Sequence, residues 1–195
     1  MGIALHKRKS SGSTLMTEGT IWKHILLFSI PLILGNMLQQ LYNTVDSIVV
    51  GNSLGSEALA AVGSSSSLIS LLISFSMGAA AGAGVIVSQF IGAQNKKGIH
   101  ESVHTALAIA LILGVVLTVL GITLSPQILR WMGTPDEVMP QSVIYLRLYF
   151  AGLLFSVLYN MASGILNAVG NSKRSLLYLA IASFTNIVLD LLFIP

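Results

Sequence analysis

Two carboxylates stand where a carboxylate is costly. Asp46 and Asp190 are the acidic residues set well inside long apolar runs, and an aspartate at the centre of a membrane-spanning helix costs about 2.5–3.5 kcal/mol on insertion scales. Residues in such places mark ion or proton sites by default. Each has an amide on its own helical face, Asn43 three residues before Asp46 and Asn186 four residues before Asp190. Desolvation and like-charge repulsion favour one carboxyl of such a pair holding a proton; alternatively both supply hard oxygens to a monovalent cation. The plainer alternative is two aspartates hydrated by headgroups at the membrane interface.

The run around Asp46 is polar for an apolar block, with Asn36, Gln39, Gln40, Tyr42, Asn43 and Thr44. Lipid would not tolerate that density, so these residues line a water-filled, solute-accessible cavity or bond to neighbouring helices. Pro31 lies upstream, where loss of a backbone N–H favours a kink and a hinge. A second constellation, His100-Glu101-Ser102-Val103-His104, has the H-E-x-x-H spacing of zinc proteases, with two imidazoles on one helical face beside a general base. A third ligand is needed, and only His6, His24 or Glu18 fall on the same side of the membrane, none of them in a recognisable motif. No metal site is therefore expected, and a membrane metalloprotease remains only a minor alternative.

The elements that position these residues follow from composition. Of 195 residues, 54% are hydrophobic and 9% charged, against roughly 25% charged in soluble domains, and the mean hydropathy is +0.83. The solvent is lipid. The chain has no cysteine, which excludes disulfides, thiolate metal sites and a cysteine nucleophile. Its ten Lys and Arg are scattered in twos and threes, too sparse for a nucleic-acid surface. No G-x-x-x-x-G-K-[ST] string is present, so an ion gradient rather than ATP is the expected energy source and no cofactor is expected.

Charges divide the chain into a polar leader, 1–20, and five apolar blocks at about 22–50, 60–92, 103–130, 138–169 and 175–194. Each block is long enough to span a bilayer, so the fold class is an all-α polytopic transmembrane helical bundle. Within the second block Gly78 and Gly82 form a small-x-x-x-small pair suited to a dimer contact or to close packing in a bundle. Lys7, Arg8, Lys9, Lys23, Lys96, Lys97, Lys173 and Arg174 fall on one side, whereas the 51–57 link carries no base and the 131–137 link only Arg130 at its edge. The positive-inside bias then makes the N-terminus cytoplasmic in a multi-pass plasma (inner) membrane protein. Trp22 and Trp131 fall near opposite interfaces, and Thr134-Pro135-Asp136-Glu137 reads as a capping box opening the fourth helix. Arg147 near the outer face is expected to snorkel or to pair with a carboxylate. The sequence stops at Phe193-Ile194-Pro195 directly after the fifth span, which reads as an interrupted protein.

Several ordered motifs resemble the multidrug and toxic compound extrusion (MATE) transporters. They are Ile30-Pro31-Leu32, Asp46 with Val49-Val50-Gly51 and Leu59-Ala60-Ala61, then Gly82-Ala83-Gly84 through Val87-Ser88-Gln89-Phe90-Ile91-Gly92-Ala93 with Asn95. Gly164-Ile165-Leu166-Asn167-Ala168-Val169-Gly170-Asn171 and Asn186-x-x-x-Asp190 continue the likeness, which runs from about Thr17 to the last residue. The resemblance implies an H+ or Na+ coupled antiporter, not an enzyme, exporting amphipathic, often cationic organic compounds by alternating access. It implies twelve helices in two lobes, so residues 21–195 would be an incomplete N-terminal lobe whose partner is the missing C-terminal lobe. In that picture Asp46, Asn186 and Asp190 form the cation site and Pro31 marks the bend of the first helix. The rival within the same fold is a flippase-like transporter of a lipid-linked substrate, which a strongly basic cavity would favour.

Overall fold

The computed structural model describes residues 20–193, and the side chains of all of these except Ile21, Tyr42, Asp46, Ser47, residues 49–59, Ala61, Asp190, Leu191 and Phe193. Four helices follow in order: α1 (Ile21–Gly92), α2 (Lys96–Trp131), α3 (Met139–Ala168) and α4 (Ser172–Phe193). Four segments, Trp22–Val45, Val62–Gly92, α2 and α3, are long and apolar enough to cross a membrane.

The first two apolar blocks fall in one helical element, α1, that is not straight. An unbent rod of these 72 residues would reach about 108 Å. Yet Phe28 and Gly84 line one cavity, and Gln39 and Ile69 line another. The element therefore folds back on itself between Val45 and Val62, and Trp22–Val45 and Val62–Gly92 form two antiparallel arms.

α3 is the central packing element, touching all the others. Its buried face, Ser142, Leu146, Phe150, Leu153, Val157 and Met161, repeats at three- and four-residue steps. α2 answers with small residues, burying Ala106, Ala110, Gly114, Gly121 and Ser125. A Cβ on Gly114 would stand 2.6 Å from the Leu154 side chain, and one on Gly121 would collide with the Phe150 ring. Large side chains of α3 thus fill spaces that glycine leaves open on α2. The second arm of α1 meets α3 backbone to backbone: a Cβ on Gly164 would stand 2.8 Å from the Ala80 carbonyl oxygen, and one on Gly84 3.3 Å from the Gly164 carbonyl oxygen. Small residues permit this in a medium where packing, not water expulsion, drives association. The Gly78 and Gly82 pair is not at this contact; space around both positions is open. Outward-facing side chains such as Leu148, Phe155 and Phe184 are apolar and exposed, as lipid-facing positions require.

The three interhelical exits use one device. After α1, α2 and α3 the N–H groups of Asn95, Thr134 and Asn171 donate to the carbonyls of Phe90, Leu129 and Leu166 at 3.0, 3.1 and 3.0 Å. Gln94, Gly133 and Gly170, each just before the donor, have φ of 54°, 73° and 79°. This is the Schellman closure with a left-handed residue. Asn95 also caps α2, its Oδ1 accepting from the Gly98 N–H at 3.0 Å, which starts the helix at Lys96 rather than near 103. The capping box expected at Thr134 is not formed. Thr134 belongs to the exit of α2, its Oγ1 is buried without a partner, and α3 begins only at Met139 with Pro140 in its first turn, where a missing N–H costs nothing.

Candidate functional site: a polar cavity between α1, α3 and α4

The first arm of α1 and α4 start at the same end of the bundle and run side by side in the same direction. Gly35 makes this possible, since a Cβ there would already be 3.4 Å from Leu179 and 3.7 Å from Leu176. One turn beyond, Gln39 and Asn43 face a cavity of about 570 Å³ whose other walls carry Ser66 and Ser70 from the second arm, Tyr145, Tyr149, Ser156, Tyr159 and Asn160 from α3, and Ser183 and Asn186 from α4. Asn43 and Asn186, separated by most of the sequence, share this chamber. The Oδ1 of Asn186 and the Oγ of Ser183 are shielded from solvent and have no hydrogen-bond partner. Buried polar atoms are seldom left unpaired, so these two are available to a water or a cation admitted among the helices.

A narrower cavity of about 110 Å³ continues from it, lined by Pro31, Asn36, Gln39, Tyr159, Asn160, Ser163 and Asn167. Asn160 and Gln39 line both. Of the positions the sequence points to, Asn36, Gln39, Asn43 and Asn186 are thus gathered, and Pro31 is buried against the narrow cavity. Gln40 is exposed and lines neither cavity; its carbonyl accepts from Thr44 Oγ1 at 2.9 Å. The side chains of Asp46, Asp190 and Tyr42 lie outside the described residues.

Sequence reasoning missed the contribution of α3. Tyr145, Tyr149, Ser156, Asn160, Ser163 and Asn167 recur at steps of three, four and seven in an otherwise apolar block, the helical signature of one polar stripe. Arg147 is exposed and has no carboxylate partner among the described residues. Its Nε donates to the Ile122 carbonyl at 3.3 Å. The H-E-x-x-H string forms an exposed helix start in which the His104 Nδ1 bonds to the His100 carbonyl at 2.8 Å, the two rings stack at 4.0 Å, and Glu101 lies 3.7 Å from Lys97. Among the described residues no three His, Asp or Glu side chains gather to hold a metal.

The MatE family model matches residues 31–192. The chain belongs to this family. It is 38% identical over 173 residues to the "Probable multidrug resistance protein YoeA" and 36% identical over 178 residues to the "Probable multidrug resistance protein YpnP", both of Bacillus subtilis. These alignments cover 89% and 91% of the chain but 37% and 40% of the relatives, so the chain spans somewhat over a third of their length. Among solved structures, a MOP superfamily transporter from Pyrococcus furiosus, described as having a binding pocket of reverse polarity that suggests a different function, superposes with a TM-score of 0.83 at 35% identity over 88% of this chain and 38% of that one. As in the rest of the MatE family, the architecture is a helical bundle built to lie in a membrane.

Proposed function

We propose that this chain acts as the N-terminal portion of a cation-coupled multidrug efflux antiporter of the MatE type. It would export amphipathic organic cations in exchange for H+ or Na+ by alternating access, together with a C-terminal lobe that completes the cleft. The observation that carries the reading is that Asn43 on α1 and Asn186 on α4 line one chamber, and in the sequence Asp46 and Asp190 stand three and four residues after them. Two carboxylates beside amide oxygens are suited to holding a proton or a monovalent cation at the membrane interior. The wider part of the chamber, with Gln39, Asn43, Tyr145, Tyr149 and Tyr159, offers aromatic and amide groups to an organic solute, in a volume typical of small-molecule sites. Asn36 lies on the adjoining narrow cavity; Tyr42 belongs to the same proposal by its place in the helix, and Gln40 flanks it. Pro31 is the proposed hinge, since the Leu27 carbonyl four residues earlier has no helical N–H to accept. With the basic residues taken as cytoplasmic, the chamber lies in the outward half of a plasma-membrane protein.

The flippase alternative calls for basic groups around an anionic substrate, and no Lys, Arg or His lines the chamber among the described residues. The test is efflux of a fluorescent cation by a full-length transporter carrying this sequence as its N-terminal portion. Asp46→Asn and Asp190→Asn should each abolish gradient-driven efflux while leaving membrane insertion intact, and Asn186→Ala should weaken it less. Near-normal efflux by Asp46→Asn removes the coupling-site assignment. The same chain expressed without a second lobe should insert and not transport, because alternating access needs one bundle to rock against another.

A further inference from the structure

We propose that the crevice between the second arm of α1 and α2, with Glu101 at its rim, is a second binding site for an amphipathic organic cation. It encloses about 410 Å³, within the range of small-molecule sites. Its walls are Gly82, Ala83, Ile86 and Phe90 on one side and Ala106 and Ile109 on the other, with Met161 of α3 also lining it. None of these lines the chamber of Asn43 and Asn186. Glu101 is the only acidic side chain among the described residues that borders any of the four cavities.

The arrangement of charge and apolar surface selects the occupant. α2 starts at Lys96, so Glu101 lies roughly 8 Å and Ile109 roughly 20 Å along the helix axis. The carboxylate is therefore near headgroup level and the alkyl walls run into the hydrocarbon, the same division that an amphipathic cation adopts in a bilayer. A free acyl chain has no use for the carboxylate. Phe90 adds an aromatic wall that a cation favours. Its ring occupies the space that a Cβ on Gly98 would need, which holds it against α2 at the end of the crevice. The present partner of Glu101 is Lys97 at 3.7 Å, with the two side chains 63% and 85% exposed. Such a pair is weak and readily exchanged for a ligand cation. The H-E-x-x-H string then has a role without zinc: its Glu faces the crevice while its two imidazoles stack beside it. The substrate class rests on the proposed function; the site itself is separate.

The experiment uses the 195-residue chain in phosphatidylcholine nanodiscs, with fluorescence polarisation of cationic rhodamine 6G and of neutral Nile red as probes. Glu101→Gln should weaken rhodamine 6G binding about tenfold, the scale of one charge-assisted contact, and leave Nile red unchanged. Lys97→Ala, which frees the carboxylate, should tighten rhodamine 6G binding about two- to threefold. Gly82→Leu places a side chain in open space within the crevice and should block this site for both probes without unfolding the helices, as circular dichroism would verify. Unchanged rhodamine 6G binding by Glu101→Gln overturns the proposal, as does an equal loss of both probes, which would mark a lipid-tail pocket. If Asn186→Ala lowers rhodamine 6G binding while Glu101→Gln and Gly82→Leu do not, the crevice falls and the multidrug reading stands. If the unmodified chain binds Nile red but not rhodamine 6G, the crevice proposal falls and the cationic substrate class loses its support.

Discussion

Arg147 donates its Nε–H to the carbonyl of Ile122 at 3.3 Å, and Ile122 stands four residues before Pro126 in α2. A proline has no N–H, so that carbonyl, inside the helix and away from its ends, lacks its usual i+4 donor. In water the gap would be hydrated; in lipid it must be closed by protein. A guanidinium from the neighbouring helix closes it and ties α3 to α2 at the proline.

Removing that donor should therefore matter in proportion to the proline. Arg147→Met is expected to lower stability by about 1–2 kcal/mol, read as a fall in thermal unfolding temperature in detergent. Pro126→Ala restores a backbone donor to Ile122, and in that background the Arg147→Met cost should largely disappear. Strictly additive effects of the two substitutions would show that they are not coupled.

The contact of α1 with α3 predicts a contrast among glycines. Gly164→Ala puts a Cβ 2.8 Å from the Ala80 carbonyl oxygen, a backbone atom that cannot step aside, and should destabilise by about 2 kcal/mol or more as the helices separate. Gly78→Ala meets nothing within 4 Å and should be neutral, or stabilising by up to about 1 kcal/mol through helix propensity. Comparable losses at both positions in a thermal unfolding series would contradict the packing described.

Gln94 is the non-glycine residue in the left-handed region among the described residues, at φ 54°. Its exit geometry matches those at Gly133 and Gly170, so Gln94→Gly should stabilise by about 0.5–1 kcal/mol. Gly133→Ala and Gly170→Ala should cost about 1 kcal/mol or more for the same reason. Opposite signs in chemical or thermal denaturation would refute the closure mechanism.

Orientation is checked by labelling, for which the cysteine-free chain is suited. The helices alternate in direction, so Lys23, Lys96, Lys97, Lys173 and Arg174 lie at one end of the bundle and Arg130 at the other. Lys97→Cys and Lys173→Cys should react with a membrane-impermeant maleimide only after the cytoplasmic side is opened, and Gly133→Cys from outside intact cells. Labelling of Lys97→Cys from outside would invert the topology.

What the sequence by itself determined is whatever depends on local composition and short-range geometry. Long apolar runs with few charges dictate helices in lipid, because no other open structure satisfies its backbone there. Glycines at 133 and 170 mark helix exits, because a left-handed residue is cheap only without a Cβ. The pairings of Asn43 with Asp46 and of Asn186 with Asp190 are matters of helical period. Tertiary structure decided which elements meet. The reversal of α1 between its arms, the approach of Gly35 to α4, and the polar stripe of α3 together determine that Gln39 faces the chamber while its neighbour Gln40 does not. Periodicity alone offers both, since a single residue step turns the helix by about 100° and only a packed neighbour distinguishes the two faces. The same holds for Arg147, whose acceptor lies on another helix, and for Glu101, which borders the crevice between helices although its ion-pair partner Lys97 is on its own helix. Their chemistry was legible as residue type and place, and its direction came from packing.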